Sequence, residues 1–276
     1  MLKTRVITAV VLLAVLLPIL YFNNTTAFAV VVTVAFGAAV WEAFRLFNPE
    51  SKGAVVVSAV WTATFAWAFF VHGAGNLTFW FALSALIWLL RLAPSLKIGL
   101  PPLGQGGNML LSITYAVAIV GCFAAIVQLF QHSPLYLLSV MALVWVADIG
   151  AYFAGKAFGK RKLAPSISPG KSWEGAIGGG IAVLLIASLS VLFGGQTMAD
   201  TFAARMQGRF GWAALVASLV LIVAASIVGD LFESQLKRRA GMKDSSKLLP
   251  GHGGVLDRID ALIPVLPLAA LIGAWL

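Results

Sequence analysis

An all-α fold, a polytopic helical membrane protein with about nine transmembrane helices, follows from three observations. The 276-residue chain is 61% hydrophobic and only 11% charged, and its mean hydropathy is +0.96. A water-soluble domain of this length has no interior large enough for that much apolar side chain. The apolar residues also come in unbroken blocks of roughly 17–25, the length a helix needs to cross the hydrocarbon layer. Those blocks lack the polar/apolar alternation of a membrane barrel.

The blocks fall at residues 6–22, 27–47, 54–71, 77–93, 109–130, 135–155, 175–194, 211–232 and 260–276. Asn23-Asn-Thr-Thr26 fits a short turn between the first two. Lys3 and Arg5 before an apolar stretch, with Ala27-Phe-Ala29 beyond it, also offer the parts of a cleaved leader. The length of the first block and the continuous second one make a helical hairpin the simpler reading.

Charge sets the expected orientation. With the N-terminus cytoplasmic, all of the 19 basic residues except Arg205 and Arg209 fall on the cytoplasmic side, as the positive-inside rule requires. The loops 156–174 and 233–259 then both face the cytoplasm. The net charge of +9 therefore reads as inner-membrane topology of the bacterial type rather than as a nucleic-acid surface. Segment 195–210 lies outside as a short interfacial helix without chemistry. Cys122 is the one cysteine, so no disulfide within the chain and no cysteine metal site can form. Residues 1–131 read as a helical scaffold that could carry a homodimer contact, and 132–276 as the catalytic region.

The polar chemistry is concentrated between Ser234 and Asp260. Asp230 follows the apolar run Ala213–Gly229, near the cytoplasmic end of the eighth block, and if that helix continues, Asp230, Glu233, Ser234, Lys237 and Arg238 recur at helical spacing on one face. Lys243, Asp244 and Lys247 then lead into Pro250-Gly-His-Gly-Gly254 and Asp257-Arg258-Ile-Asp260. The glycines let backbone approach an anion closely, with His252 between them able to donate to a phosphate oxygen. Helix capping explains one of Asp257 and Asp260 comfortably, a second less well, and Asp230 not at all. Carboxylates among lysines and arginines suit magnesium with bound phosphates. Asp230 and Asp257 are the preferred ligands and Asp244 the supporting one. Two metals would clamp an in-line displacement at phosphorus.

Loop 156–174 supplies a second half. Lys160, Arg161 and Lys162 are explained by topology or anionic lipid. Ser168-Pro-Gly-Lys-Ser-Trp-Glu-Gly175 instead precedes a helix whose N-terminus can take phosphate. Its Gly-Lys-Ser triplet is not a P-loop, because Pro165 stands where the first glycine should be. Asp148 lies inside the sixth block, one turn from Tyr152, and an intramembrane carboxylate is a functional candidate by default. Glu42 reads as an interfacial pair with Arg45, and His72 and His132 as outside-turn residues with no catalytic part.

These motifs carry a specific resemblance. Ser234-x-x-Lys237-Arg238-x4-Lys243-Asp244, followed by Pro250-x-His252-Gly-Gly-Val-x-Asp257-Arg258-x-Asp260, resembles the signature of the phosphatidate cytidylyltransferase, or CDP-diacylglycerol synthase, family. The segments around Lys171-Ser172-Trp173-Glu174-Gly175 and Asp148–Gly155 resemble it as well. The resemblance covers at least the C-terminal half and implies transfer of CMP from CTP to phosphatidate, releasing pyrophosphate, with magnesium. It implies that Asp230 and Asp257 hold metal with Asp244 in support. Lys237, Arg238 and Lys243 would neutralise phosphate, with Ser234 beside them, and Lys171 and Ser172 would hold the triphosphate or the lipid phosphate. His252 and Arg258 would stabilise the leaving group. Two rivals remain: a CTP-dependent polyprenol kinase, which would move the γ-phosphoryl group, and an ion-coupled transporter using Asp148 and Asp230.

Overall fold

In the computed structural model, which describes residues 2–50, 53–71 and 77–276, the apolar blocks are helices. Among the described residues, eight are long and apolar enough to cross a membrane. They comprise α1 (Leu2–Tyr21), α2 (Thr25–Phe47), α3 (Ala54–Ala66, continued as a π turn to Val71), and α4 (Leu77–Ile87), which runs through a second π turn into α5 (Ala93–Ile98). After these come α6 (Gly106–His132), α7 (Pro134–Phe158), α8 (Trp173–Phe193) and α9 (Phe202–Arg239). Lys52 and His72 lie outside the described residues.

The ninth block differs from its expectation. It forms a single-turn helix α10 (Leu256–Ile259) and then α11 (Leu262–Gly273), only 12 residues long. At 1.5 Å per residue α11 spans roughly 18 Å, well short of a hydrocarbon core of roughly 30 Å. Leu262, Ile263, Pro264, Val265, Leu266, Pro267, Ala269 and Ala270 are all buried. This helix is apolar all round because protein surrounds it, a composition that lipid would demand equally.

α6 is the hub. It is buried on most of its circumference and packs against α2, α4, α7 and α11, with Phe36, Phe65 and Phe123 meeting as stacked and edge-on rings. The closest seam lies between α7 and α8. A Cβ on Gly179 would stand 2.5 Å from the Ala147 carbonyl oxygen, and one on Gly150 would stand 2.8 Å from the Ala182 Cβ. Small residues on both helices let the backbones touch, the usual route to tight packing where lipid supplies no hydrophobic drive. At the start of α9, Gly211 has φ 82 and ψ 179, which separates a short first segment from the long helix that follows. The short helix expected within 195–210 is therefore present. It is held by Ser133, Ser139, Asp200 and Arg205. Beyond the eighth block, α9 runs on to Arg239, so its charged residues do lie on one continuous helix.

Candidate active site

Loop 156–174 folds into a small antiparallel hairpin of β1 (Lys162–Ala164) and β2 (Ser168–Ser172), which the apolar pattern did not announce. Ser172 ends the hairpin and caps α8, its hydroxyl accepting from the Gly175 amide at 3.1 Å. Glu174 in turn accepts from the Lys160 amide at 3.0 Å and the Arg161 amide at 3.1 Å, closing the hairpin onto the helix. Arg238 donates from α9 to the Ile167 carbonyl at 3.4 Å, so part of its expected anion-binding capacity is spent on the scaffold. The hairpin thereby presents Lys171 toward α9.

Lys171 Nζ lies 2.5 Å from Asp230 Oδ2, and both side chains are 28% exposed. Asp230 also accepts from the Ser234 hydroxyl one turn on, at 3.3 Å. Around this pair α7, α8, α9 and the hairpin enclose a cavity of about 520 Å³. Asp148, Tyr152, Lys156, Lys171, Ser172, Ser226 and Asp230 supply its polar wall, and Ala147, Ala151, Gly179 and Val223 its apolar one. Two distant sequence motifs and the intramembrane carboxylate thus share one chamber.

One turn further along α9 lies a second cluster. Glu233 is fully buried and ion-paired with Lys237, whose Nζ also donates to Asp257 Oδ1 at 2.7 Å. The other Asp257 oxygen accepts the Ser245 amide at 2.9 Å, the Ser245 hydroxyl at 2.9 Å and the Gly254 amide at 2.7 Å. Burial pushes the Asp257 carboxyl up, but these donors, Lys237 first among them, outweigh it and hold the group below its ordinary range. Asp257 therefore organises the loop. Gly229 packs against the backbone of Asp260 and the Pro264 ring, with a Cβ there standing 2.8 Å from Pro264 Cδ, which brings the two clusters side by side.

The remaining expected residues are placed differently. Lys243, Asp244 and Arg258 are exposed and hold no side-chain hydrogen bond or ion pair among the described residues. The His252 amide donates to the Leu249 carbonyl at 2.8 Å, while its buried Nδ1 has no partner among the described residues. Gly251 and Gly253 both have positive φ, 79° and 83°, a conformation that favours glycine and lets this loop fold back on itself. Thr8 of α1 donates to the Pro250 carbonyl at 2.8 Å, so the first helix also touches the loop. Among the described residues no three His, Cys, Asp or Glu side chains converge as a metal cage.

Sequence reasoning misassigned Glu42. Arg45 lies over the Trp41 ring at 4.7 Å instead of pairing with it, and Glu42 is fully buried against the loop after Asp244. Ser245 and Ser246, passed over by sequence reasoning, are buried too and bond to that carboxylate. A carboxylate within an apolar block was the available signal.

Fold and site define a polytopic membrane protein whose helices gather lysines and carboxylates around a chamber at one end of the bundle. The model of the cytidylyltransferase family matches residues 3–276. A phosphatidate cytidylyltransferase of Pseudomonas aeruginosa is 42% identical over 99% of this chain and 98% of its own length. The Haemophilus influenzae protein of the same name is 36% identical over 97% and 96%. The chain belongs to the cytidylyltransferase family.

Proposed function

We propose that this protein transfers CMP from CTP to phosphatidate, giving CDP-diacylglycerol and pyrophosphate. The observation that carries the reading is the chamber itself. A lysine from the hairpin and a carboxylate from α9 meet there at 2.5 Å, on helices long enough to cross a bilayer. A lipid phosphate entering it would find a cation whose present partner is another anion. Family membership and the names of the full-length relatives support the same reaction.

The phosphatidate phosphate attacks the α-phosphorus of CTP, a P–O bond forms, and the bond to the β-phosphate oxygen breaks to release pyrophosphate. A phosphate anion is already a competent nucleophile, so the protein needs only to position the reactants and neutralise charge. Lys171 and Lys156 are the cations lining the chamber, and Lys171 is the one set against Asp230, where an incoming phosphate could replace the carboxylate. Lys237 holds Asp257, and Asp257 holds the Ser245–Gly254 turn. The exposed Lys243 and Arg258 are free to meet the triphosphate as it arrives.

Magnesium is part of the proposal. It characteristically takes one or two carboxylates, with phosphate oxygens and water filling the remaining positions. Asp230 and Asp148, the carboxylates lining the chamber, fit that requirement. Asp257 would have to exchange a donor to join them, and Asp244 is unencumbered. A bound magnesium would supply charge neutralisation on the triphosphate. The distribution of basic residues supports a chamber facing the cytoplasm, where CTP is available.

The test uses purified protein, phosphatidate vesicles, magnesium and CTP labelled at either the α- or the γ-phosphate. Label from the α-position should enter the lipid. Label from the γ-position in the lipid would replace this reading with a lipid kinase.

A further inference from the structure

We infer that Glu42, on the second helix, is a positioning residue that sets the conformation of the loop 245–256. What that loop serves rests on the CMP-transfer reading; the contact does not. Glu42 is 0% exposed, yet no basic side chain pairs with it among the described residues. Its two oxygens are instead filled from one segment of loop. Oε1 accepts from the Ser246 hydroxyl and the Val255 amide, the latter at 3.1 Å, and Oε2 accepts from the Leu256 amide at 2.6 Å and the Ser245 hydroxyl at 3.2 Å. Both sides of the loop thereby converge on one carboxylate more than 200 residues away in sequence.

The arrangement does more than fill space. The Ser245 hydroxyl lies between Glu42 and Asp257, at 3.2 and 2.9 Å, and shares its single proton between the two carboxylates. Glu42 is thus one hydroxyl away from the residue that anchors Lys237. Gly254 completes the enclosure, since a Cβ there would come within 2.6 Å of the Glu42 Cδ and closer still to the Ser245 hydroxyl. Two of the four donors are backbone amides, which can only donate. A carboxylate satisfies them all, whereas a glutamine offers one acceptor oxygen and turns an NH₂ toward one of the amides. The burial and the donor set together point to a fixed anchor for the turn that carries Gly253, Gly254 and Asp257.

The experiment compares the full-length protein with its Glu42→Gln and Glu42→Asp variants in lipid nanodiscs, by amide hydrogen exchange and steady-state kinetics. An unsatisfied buried donor is costly enough that exchange across 245–256 in Glu42→Gln should rise by at least about tenfold. Exchange in α6–α9 should stay as in the parent. For CMP transfer, kcat should fall about tenfold while KM for CTP holds within about twofold, since the loop's geometry and not its ligand groups has changed. Glu42→Asp should recover part of both losses. Should Glu42→Gln not assemble, Ser246→Ala removes one donor and leaves the carboxylate, and a smaller rise confined to the same segment is expected. Unchanged exchange at 245–256, protection lost equally across the bundle, or faster exchange with parental kcat would each overturn the inference. If the parent protein itself shows no CMP transfer, the functional reading fails while the exchange data still judge the anchor.

Discussion

Replacing Gly254 by alanine adds a single methyl group at the most confined point of the loop. Gly254 does not have a positive φ, so its backbone conformation would accept a side chain and the effect is one of space alone. The new Cβ would lie 2.6 Å from the Glu42 Cδ, with Glu42 Oε1 and the Ser245 hydroxyl nearer than that. Neither neighbour can swing away, because Glu42 and Ser245 are both 0% exposed and tied to each other. Overpacking of this kind costs about 1–3 kcal/mol. If the Gly254 amide is pushed off Asp257, the lost bond to a charged acceptor adds roughly 1.5–3 kcal/mol. A combined loss of about 2.5–6 kcal/mol is expected, read as a lower melting temperature in detergent and a fall in CMP transfer of at least about a hundredfold. Gly208→Ala is the control: its Cβ meets nothing within 4 Å, and it sits in a helix, where alanine gains up to about 1 kcal/mol. A Gly254→Ala protein that melts and turns over like the parent would show that this loop is not packed as described.

Four further outcomes follow from the same geometry. Lys171→Ala should cut kcat/KM for CMP transfer by about tenfold or more, through loss of the chamber cation that pairs with Asp230, while leaving membrane insertion intact; unchanged kinetics would remove Lys171 from the site. Asp257 has a native pKa below the unfolded carboxylate value of about 3.9, so its stabilising contribution is complete at neutral pH and is lost as pH falls through the depressed native value. The parent's melting temperature should therefore drop more steeply on acidification than that of Asp257→Asn, and parallel curves would contradict this. Gly179→Leu would drive a side chain into the Ala147 carbonyl and is expected to abolish assembly, seen as loss of a monodisperse peak in size-exclusion chromatography. Chelation of magnesium should stop turnover, with activity restored on re-addition; full activity in excess chelator would refute the magnesium proposal.

What the sequence disclosed, and what it hid, divides along a physical line. Apolar block length is set by membrane thickness, so α6, α7 and α8 could be placed within a few residues from composition alone. The same rule misled at α11, because a helix buried in protein and a helix buried in lipid obey the same composition. Asp230 and Lys171 stood out because each breaks an expensive rule, a charge at an apolar helix end or beside a Gly-rich turn, and the structure brings them to 2.5 Å. Glu42 broke the same rule, but a basic residue three positions on offered a cheaper explanation, and helical spacing alone does not say which face points inward. Hairpin β1–β2 was hidden for a related reason: three- and five-residue strands carry too few alternations to register as a pattern. The residues that reasoning from one sequence missed are those whose partners lie far along the chain. Ser245 and Ser246 are small polar residues that look like spacers until a buried carboxylate from α2 is set beside them. That contact also changes what the N-terminal helices are for. A scaffold that only filled the membrane would have no need to bury an acidic group, a placement that costs several kcal/mol unless its oxygens are fully hydrogen-bonded. The cost is tolerated because the four donors come from the very loop that carries Asp257, so the first half of the chain holds the shape of the site that the second half supplies.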